Sequence, residues 1–390
     1  MSALRFTFLE LKNWKNFTYD KVPLASRVFL VGPNATGKSN FLDAFRFLRD
    51  LVIEGGGLGK AVELRDGLTK VRSLFARKEP VISISATVQD ASGKGWRYEL
   101  AFTHYSPKDQ RPIVVKETVH HIREDGQEKE LLKRPDDFDK DDKERLTQTA
   151  IQQVNANATF RELADFFREI SYLHLVPQLL REEQLPRANN IGFDPFGRDL
   201  LERIRHTPSR KQKARLSRIE KVLKVVVPEL KELHLQIDEH GRPHLQGKFQ
   251  HWRPQGAFQN ETQFSDGTLR LIGLLWALQE KSGPLLLEEP ELSLHTAIVR
   301  RLAPFIYRAQ KAGDGRQVIL STHSEMLLQD VGIAPEEVLL VKPTQEGSKI
   351  VAGASLRDIT KLIQAGIPAS DAFLPLTELK QMSLLDRVSI

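Results

Sequence analysis

A glycine-spaced loop that ends in lysine and serine lies near the start of the chain. Residues 32–39 read Gly-Pro-Asn-Ala-Thr-Gly-Lys-Ser and match the pattern G-x-x-x-x-G-K-[ST]. In this pattern backbone N–H groups bind nucleotide phosphates, the lysine contacts the β- and γ-phosphates, and the hydroxyl holds Mg²⁺. We predict an ATP site with Lys38 also acting in catalysis and Ser39 as a metal ligand. Its other members are Gly32, Pro33, Asn34, Ala35, Thr36, Gly37 and Asn40.

Two carboxylates follow a short apolar run much later in the chain. Leu285–Leu287 is typical of a buried parallel strand, and Glu288 and Glu289 come directly after it. In an open α/β sheet, the carboxyl ends of the strands lie beside the ligand. We therefore predict that Glu288 completes the magnesium shell, directly or through water, and that Glu289 orients or deprotonates the attacking water. The alternative is an acidic surface loop.

Ser265 and His323 are two further polar residues, and their interpretation depends on the loop 32–39 and the two glutamates. Ser265 stands where a helix N-cap belongs, because residues 269–278 are densely apolar, and Gly267 follows in the first turn. Free amides and a helix dipole at such a start can bind an anion. His323 follows the apolar strand 317–320 and can hydrogen-bond a γ-phosphate oxygen. Alone, each is also compatible with an ordinary helix cap or strand end.

The elements that must position these residues indicate an α/β protein. Residues 28–31 are strand-like and residues 40–48 have an amphipathic helical pattern, so the loop lies between a strand and a helix. Alternating patterns over 80–132 predict an antiparallel sheet beside the nucleotide core, and residues 195–227 are helical in pattern. The acidic run 134–145 suggests either a metal cluster or, as we prefer, a solvated face. We divide the chain into 1–132, 133–255, 256–345 and 346–390.

Taken together, the motifs resemble those of ABC-type ATPase heads of the RecF, SMC and OLD-like group. The nearest resemblance is to prokaryotic AAA-type ATPases with a Ser-Asp-Gly-Thr signature and a Glu-Glu-Pro-Glu strand end. The segments that carry it are Gly32–Ser39, Phe264–Arg270, Leu285–Glu291, Leu292–His295 and Ser321–Ser324. The resemblance implies a P-loop NTPase fold with an ABC-ATPase head, an antiparallel β-subdomain and a helical lobe.

The resemblance also implies roles for individual residues. It makes the protein an ATPase whose two heads form a homodimer around ATP, with Ser265 and Gly267 contacting the γ-phosphate bound by the second protomer. His295 would lie in the loop that crosses the dimer, and His323 would be the switch histidine. Glu288 departs from the aspartate usual in the family, and Asp266 replaces a glycine of the transporter-type signature. The Q-loop glutamine is open between Gln178 and Gln89.

Composition limits the remaining functions. Charged residues make up 28% and hydrophobic ones 40% of the 390, which is ordinary for a globular protein. The absence of cysteine excludes disulfides, thiol catalysis and cysteine-ligated zinc. No apolar run approaches the roughly 18 residues of a membrane span, and no signal peptide is visible, so we expect a cytoplasmic protein with no membrane partner.

A basic stretch points to a possible polyanionic partner. Residues 201–224 contain nine arginines and lysines against only Glu202 and Glu220, and the basic residues are Arg203, Arg205, Arg210, Lys211, Lys213, Arg215, Arg218, Lys221 and Lys224. Such a helix can bind double-stranded DNA or another nucleic acid, although many charged helices are only solvated. We consider an ATPase coupled to nucleic acid or to a separately encoded effector protein, in anti-phage or anti-plasmid defence or DNA maintenance. A regulatory scaffold of a toxin–antitoxin type is the alternative, and a transporter cassette is disfavoured.

Overall fold

The computed structural model describes residues 4–106, 108–181, 194–250, 256–280, 283–312 and 315–377. Residues 378–390 of the predicted tail therefore lie outside the described part. The strands are β1 (Arg5–Trp14), β2 (Phe17–Pro23), β3 (Arg27–Val31), β4 (Ile82–Gln89), β5 (Gly95–His104), β6 (Pro112–Ile122), β7 (Glu128–Arg134), β8 (Ser171–Leu173), β9 (Leu230–Ile237), β10 (Pro243–Phe249), β11 (Ala257–Gln259), β12 (Leu285–Glu288), β13 (Val318–Thr322), β14 (Val338–Thr344) and β15 (Gly347–Ala352).

Along the chain, the helices occur between these strands and after the last of them. They are α1 (Lys38–Val52), α2 (Leu58–Glu63), α3 (Leu68–Val71), α4 (Asp137–Asp141), α5 (Arg161–Arg168), α6 (Pro177–Arg181), α7 (Leu200–His206), α8 (Ser209–Val226), α9 (Asp266–Gln279), α10 (Thr296–Val299), α11 (Leu302–Ala312), α12 (Glu325–Leu328), α13 (Arg357–Gln364) and α14 (Ala369–Phe373). Among the described residues, no helix is both long and apolar enough to cross a bilayer.

One large mixed sheet organises the described residues. Its strand order is β7-β6-β5-β4-β1-β2-β15-β14-β3-β13-β12-β8, and β9 to β11 form a separate antiparallel sheet. The neighbours β14, β3, β13, β12 and β8 pair in parallel. The strands predicted over 80–132 form β4 to β7, which extend the large sheet through the antiparallel pairing of β4 with β1. The β14–β15 hairpin spans the predicted boundary at residue 345.

The two faces of this sheet carry separate apolar cores. On β3, Val28 and Leu30 belong to the core that contains the aromatic face of α1, whereas Phe29 and Val31 belong to the core under α7, α8 and α9. This division follows from the two-residue period of a strand, which directs successive side chains to opposite faces. A strand buried on both faces needs a continuous apolar run, which is what β3 and β12 supply.

The helical patterns were interrupted where proline or loop geometry intervenes. Residues 195–227 form two helices rather than one, because α7 ends at His206 and Pro208 precedes α8. Proline has no N–H to donate to the preceding turn, so a helix commonly restarts at that point.

The interpretation of residues 134–145 as a solvated face is wrong for Asp139. This side chain is fully buried, and its carboxylate accepts hydrogen bonds from Arg134 Nη2 at 2.8 Å and Nε at 2.9 Å. Arg145 Nε adds a third contact at 3.1 Å. The low apolar content of the acidic run predicts a solvated segment. The guanidinium of Arg134, on β7, nevertheless binds the carboxylate of Asp139 in the protein interior. The described residues contain no group of three or more acidic or histidine side chains arranged to hold a metal.

Candidate functional site

The loop 32–39 joins the buried end of β3 to the start of α1. At Gly32 a Cβ atom would lie 2.3 Å from the carbonyl oxygen of Val341 on β14. Gly37 has φ of +96°, and a Cβ there would lie 2.1 Å from Asn16 Nδ2. Close packing at one position and a left-handed backbone at the other both require glycine. The loop is therefore shaped by β14 and by Asn16, which donates a hydrogen bond to Thr36 O at 2.7 Å.

Lys38 lies folded under the loop. Only 6% of its surface is exposed, and Nζ donates to the carbonyl oxygens of Gly32 at 2.9 Å and Pro33 at 2.8 Å. Burial lowers the pKa of Lys38 to about 8, and the carboxylates that follow β12 oppose this shift. The ammonium group thus contacts two loop carbonyl groups close to several carboxylates, where it can exchange a carbonyl partner for a phosphate oxygen.

The side chains of Ser39, in the first turn of α1, and Glu288, at the end of β12, are in contact. The Ser39 hydroxyl donates to Glu288 Oε1, although the residues are 249 positions apart. The other oxygen, Oε2, accepts a hydrogen bond from the hydroxyl of Tyr172 on β8. A hydroxyl and a carboxylate oxygen in contact are the hard oxygen donors that Mg²⁺ prefers. The donor set therefore fits a magnesium ion held by Ser39 and Glu288, beside the loop 32–39.

Glu289 and His323 form the second pair at this edge. His323 Nε2 lies 3.0 Å from Glu289 Oε1. Glu289 has φ of +43°, a left-handed conformation that is uncommon for a residue with a side chain. Burial and the charge of Lys38 lower the pKa of His323, whereas Glu289 raises it. An imidazole and a carboxylate side by side offer both a donor and acceptors, which suits them to hold a water molecule or a phosphate oxygen.

The signature turn and the segment after the glutamates lie against each other. Ser265 caps α9, because its hydroxyl accepts from Thr268 N at 3.2 Å. A Cβ at Gly267 would lie 2.6 Å from Ser293 O. His295 caps α10 through Nδ1, which accepts from Ala297 N at 3.2 Å. Within the described ranges, no hydrogen bond joins Ser265, Gly267 or His295 to the loop 32–39.

Comparison with known families adds a second line of information. Residues 27–329 match the family model described as "AAA domain, putative AbiEii toxin, Type IV TA system". The chain belongs to this family. A search of curated proteins gave no match. The match spans both halves of the site, from β3 through α12, so the family's ATPase domain contains the loop, the glutamates and His323.

Solved structures similar to this AAA-domain protein are heads of Smc proteins. A SmcHead bound to the C-winged helix domain of ScpA is 15% identical, with 89% of this chain and 97% of that chain covered and a TM-score of 0.52. A Smc head domain with an extended coiled coil from Pyrococcus furiosus, bound to the C-terminal domain of ScpA, is 13% identical, with 93% and 100% covered and a TM-score of 0.53. These likenesses confirm the predicted α/β fold of an ABC-ATPase head.

The geometry also separates the two glutamine candidates. Gln178 lies on α6, and its Nε2 donates to Oδ2 of Asp266, the residue after the N-cap of α9, at 2.8 Å. Gln89 instead donates to Gly93 O in the β4–β5 turn at 2.7 Å. Of the two candidates, Gln178 is therefore the one that contacts the signature turn in the described residues.

Sequence reasoning missed Tyr172 and Asn16. Tyr172 lies opposite Leu286 in the β8–β12 pair, and this pairing brings it to Glu288. Asn16 lies between β1 and β2 and supports the loop through its hydrogen bond to Thr36 O. The sequence offers no local signal for either contact, because each depends on which strands become neighbours in the sheet.

Proposed function

We propose that this protein binds ATP with Mg²⁺ and hydrolyses it to ADP and phosphate. The observation that carries the proposal is the contact between Ser39 and Glu288, which places a P-loop hydroxyl and a strand-end carboxylate together at one sheet edge. A nucleotide phosphate bound by the loop amides would lie next to both. Membership of an AAA-domain family supports the same conclusion.

The roles of the charged residues follow from their neighbours. Lys38 binds the β- and γ-phosphates, since its ammonium group is already inside the loop. Mg²⁺, held by Ser39 and Glu288, would neutralise charge on the phosphate oxygens. Glu289 orients the attacking water and accepts its proton, and His323 holds the Glu289 carboxylate in place. His323 also lies where it can hydrogen-bond the γ-phosphate and thereby respond to its presence.

We propose further that two chains enclose ATP between them. Ser265, the first amides of α9 and His295 form a second anion-binding surface that makes no hydrogen bond to the loop 32–39 in the described residues. A second protomer can present this surface to the γ-phosphate. Hydrolysis would remove that contact, so the nucleotide state would control whether the two heads stay together.

The output of such a cycle is either nucleic acid or a protein effector. The exposed face of α8 carries Arg210, Lys213 and Lys221 at helical spacing, which fits a line of phosphates. This favours a role on double-stranded DNA, in anti-phage or anti-plasmid defence or DNA maintenance. The family description, which includes a type IV toxin–antitoxin system, supports the second candidate, a regulatory scaffold that holds a separately encoded effector.

The test is a phosphate-release assay on the purified chain with MgATP, together with light scattering. We expect turnover that requires Mg²⁺ and a dimer that forms with ATP and not with ADP. Lys38→Ala is the control for a contaminating ATPase. Turnover that survives in Lys38→Ala, or a wild-type chain that binds no nucleotide, would overturn the proposal.

A further inference from the structure

Tyr172 is a buried phenol that contacts the predicted metal site. It lies in the middle of β8, the strand next to β12, and only 6% of its surface is exposed. Tyr172 pairs with Leu286 in parallel register. Glu288 follows Leu286 by two residues, so it lies on the same face of the sheet as Tyr172. The phenol therefore reaches along that face to the strand end, where its hydroxyl donates to Glu288 Oε2.

The hydrogen bond from Tyr172 orients the carboxylate of Glu288. A glutamate has three side-chain torsions, so an unrestrained Glu288 would sample several rotamers at the strand end. Instead its two oxygens are divided between two hydroxyls, with Oε1 at Ser39 and Oε2 at Tyr172. A hydrogen bond from a hydroxyl to a carboxylate is among the strong ones in proteins. An aspartate, one methylene shorter, would not make both contacts from the same backbone position.

Tyr172 is itself held by the helix that follows the loop. The guanidinium of Arg46, on α1, lies 4.4 Å from the centre of the Tyr172 ring. A cation over an aromatic face is attracted by the ring quadrupole, and burial strengthens this attraction. Ser39 lies in the first turn of the same helix. The helix α1 therefore supports both carboxylate oxygens of Glu288: Ser39 contacts Oε1 directly, and Arg46 packs on Tyr172, which contacts Oε2.

We propose that Tyr172 is a positioning residue for the metal site: its hydroxyl holds Glu288 Oε2 so that Oε1 faces Ser39 and the ion. This inference rests on the proposed function, since it assigns Ser39 and Glu288 to magnesium. Tyr172 acts through Glu288 and touches neither the nucleotide nor the reacting atoms. Hydrogen-bond partners of metal ligands commonly contribute ~10–100-fold to metal affinity.

The experiment measures metal affinity rather than turnover. The full-length protein is bound to the non-hydrolysable analogue AMP-PNP, and Mn²⁺ is titrated with electron paramagnetic resonance as the readout. Tyr172→Phe keeps the ring and its contact with Arg46 but removes the hydroxyl. We expect Mn²⁺ affinity to fall by about 10-fold or more, whereas metal-free binding of a fluorescent ATP analogue in EDTA and the melting temperature stay at wild-type values.

A second variant makes the test independent of the first. Glu288→Asp keeps a good metal ligand but withdraws it from Tyr172, so we expect weaker Mn²⁺ binding here too. Adding Tyr172→Phe to Glu288→Asp should then change nothing, because the hydrogen bond is already lost.

The outcomes separate the two claims. Wild-type Mn²⁺ affinity in Tyr172→Phe or in Glu288→Asp overturns the inference while leaving the ATP site in place. An equal loss from Tyr172→Phe in both backgrounds also overturns it, because the hydroxyl would then affect metal binding by a route other than its hydrogen bond to Glu288. A wild-type chain that binds neither the ATP analogue nor Mn²⁺ would overturn the proposed function and the inference with it.

Discussion

Glu289 Oε1 and His323 Nε2 lie 3.0 Å apart at the ends of two adjacent parallel strands. The two strands, β12 and β13, pair in parallel with Glu288 opposite Ser321. Glu289 lies one residue after this pair and His323 lies two residues after it. Glu289 N also donates to Ser321 O at 3.1 Å, which fixes the turn after β12. The carboxylate and the imidazole are therefore positioned by backbone pairing, and the first prediction, on turnover, depends on this.

Glu289→Gln should retain ATP binding and lose turnover by about 10²–10⁴-fold, which is the usual contribution of a general base. The amide keeps the size of the side chain but cannot accept the proton. Phosphate release and binding of a fluorescent ATP analogue measure the two effects separately. Glu336→Gln, an exposed glutamate, is the matched control and should match wild type. Normal turnover in Glu289→Gln would remove this residue from the catalytic role.

Lys38→Ala should lose ATP binding itself. The ammonium group is the cation inside the loop, and its removal leaves the phosphate charge to be met by backbone amides alone. Isothermal titration with MgATP measures the affinity, and Lys60→Ala, at an exposed position of α2, controls for the loss of one positive charge. Unchanged affinity in Lys38→Ala would place the nucleotide elsewhere.

Ser265→Arg should block the ATP-dependent dimer without weakening ATP binding to the monomer. The substitution places a bulky cation at the N-terminus of α9, where it repels the helix dipole and blocks access to the amides. Light scattering of the Glu289→Gln protein with MgATP, with and without Ser265→Arg, gives the mass. Ser209→Arg, in the first turn of α8, is the matched control. A dimer that tolerates Ser265→Arg would contradict the enclosed-ATP arrangement.

Charge reversal on α8 should weaken binding of double-stranded DNA. The triple variant Arg210→Glu, Lys213→Glu and Lys221→Glu changes exposed positions and leaves Arg215, which stacks on Trp276 at 5.1 Å, in place. Each lost phosphate contact should reduce the slope of log affinity against log salt by about 0.9. Fluorescence anisotropy across a salt series measures it.

The control for this experiment has the same change in net charge. Arg123→Glu, Lys129→Glu and Lys133→Glu alter exposed positions on or beside β7 and should leave the slope unchanged. Equal binding by both triple variants and wild type would show that α8 is only a solvated helix.

Asp139→Asn should destabilise the fold and reduce its sensitivity to acid. Burial raises the pKa of Asp139, but the hydrogen bonds and charges of Arg134 and Arg145 outweigh it and hold the pKa well below its ordinary value. The native carboxylate thus stays ionised where an unfolded one, with a pKa near ~3.9, takes up a proton. Its stabilising contribution is present above about pH 4 and is lost as the pH falls further.

Urea unfolding at several pH values measures this contribution. At pH 7 we expect the variant to lose about 3 kcal/mol of unfolding free energy, because an arginine loses its buried partner. The difference in unfolding free energy between Asp139→Asn and wild type should become smaller toward pH 3. Asp141→Asn, two residues away and exposed, should cost less than about 0.5 kcal/mol. A gap that does not depend on pH would contradict the ion pair as its cause.

The ATP motifs could be predicted because each is local. Gly32, Gly37 and Lys38 lie within seven residues, and the backbone they require is a property of that segment alone. Glu288 and Glu289 were placed at a strand end by the apolar run before them, since burial on both faces needs such a run. The order of the motifs then resembled a known head, and the fold comparison confirmed that architecture.

What the tertiary structure alone decided is which distant residues meet. Tyr172 contacts Glu288 across 116 positions because β8 and β12 are neighbours in one parallel register, and neither strand's own pattern specifies that pairing. Asp139 is buried because Arg134 lies behind it, although its segment has the composition of a solvated run. Composition and periodicity describe a segment's average exposure and its local backbone. Strand order and register determine the partners of single side chains, and these arise only when the whole sheet assembles.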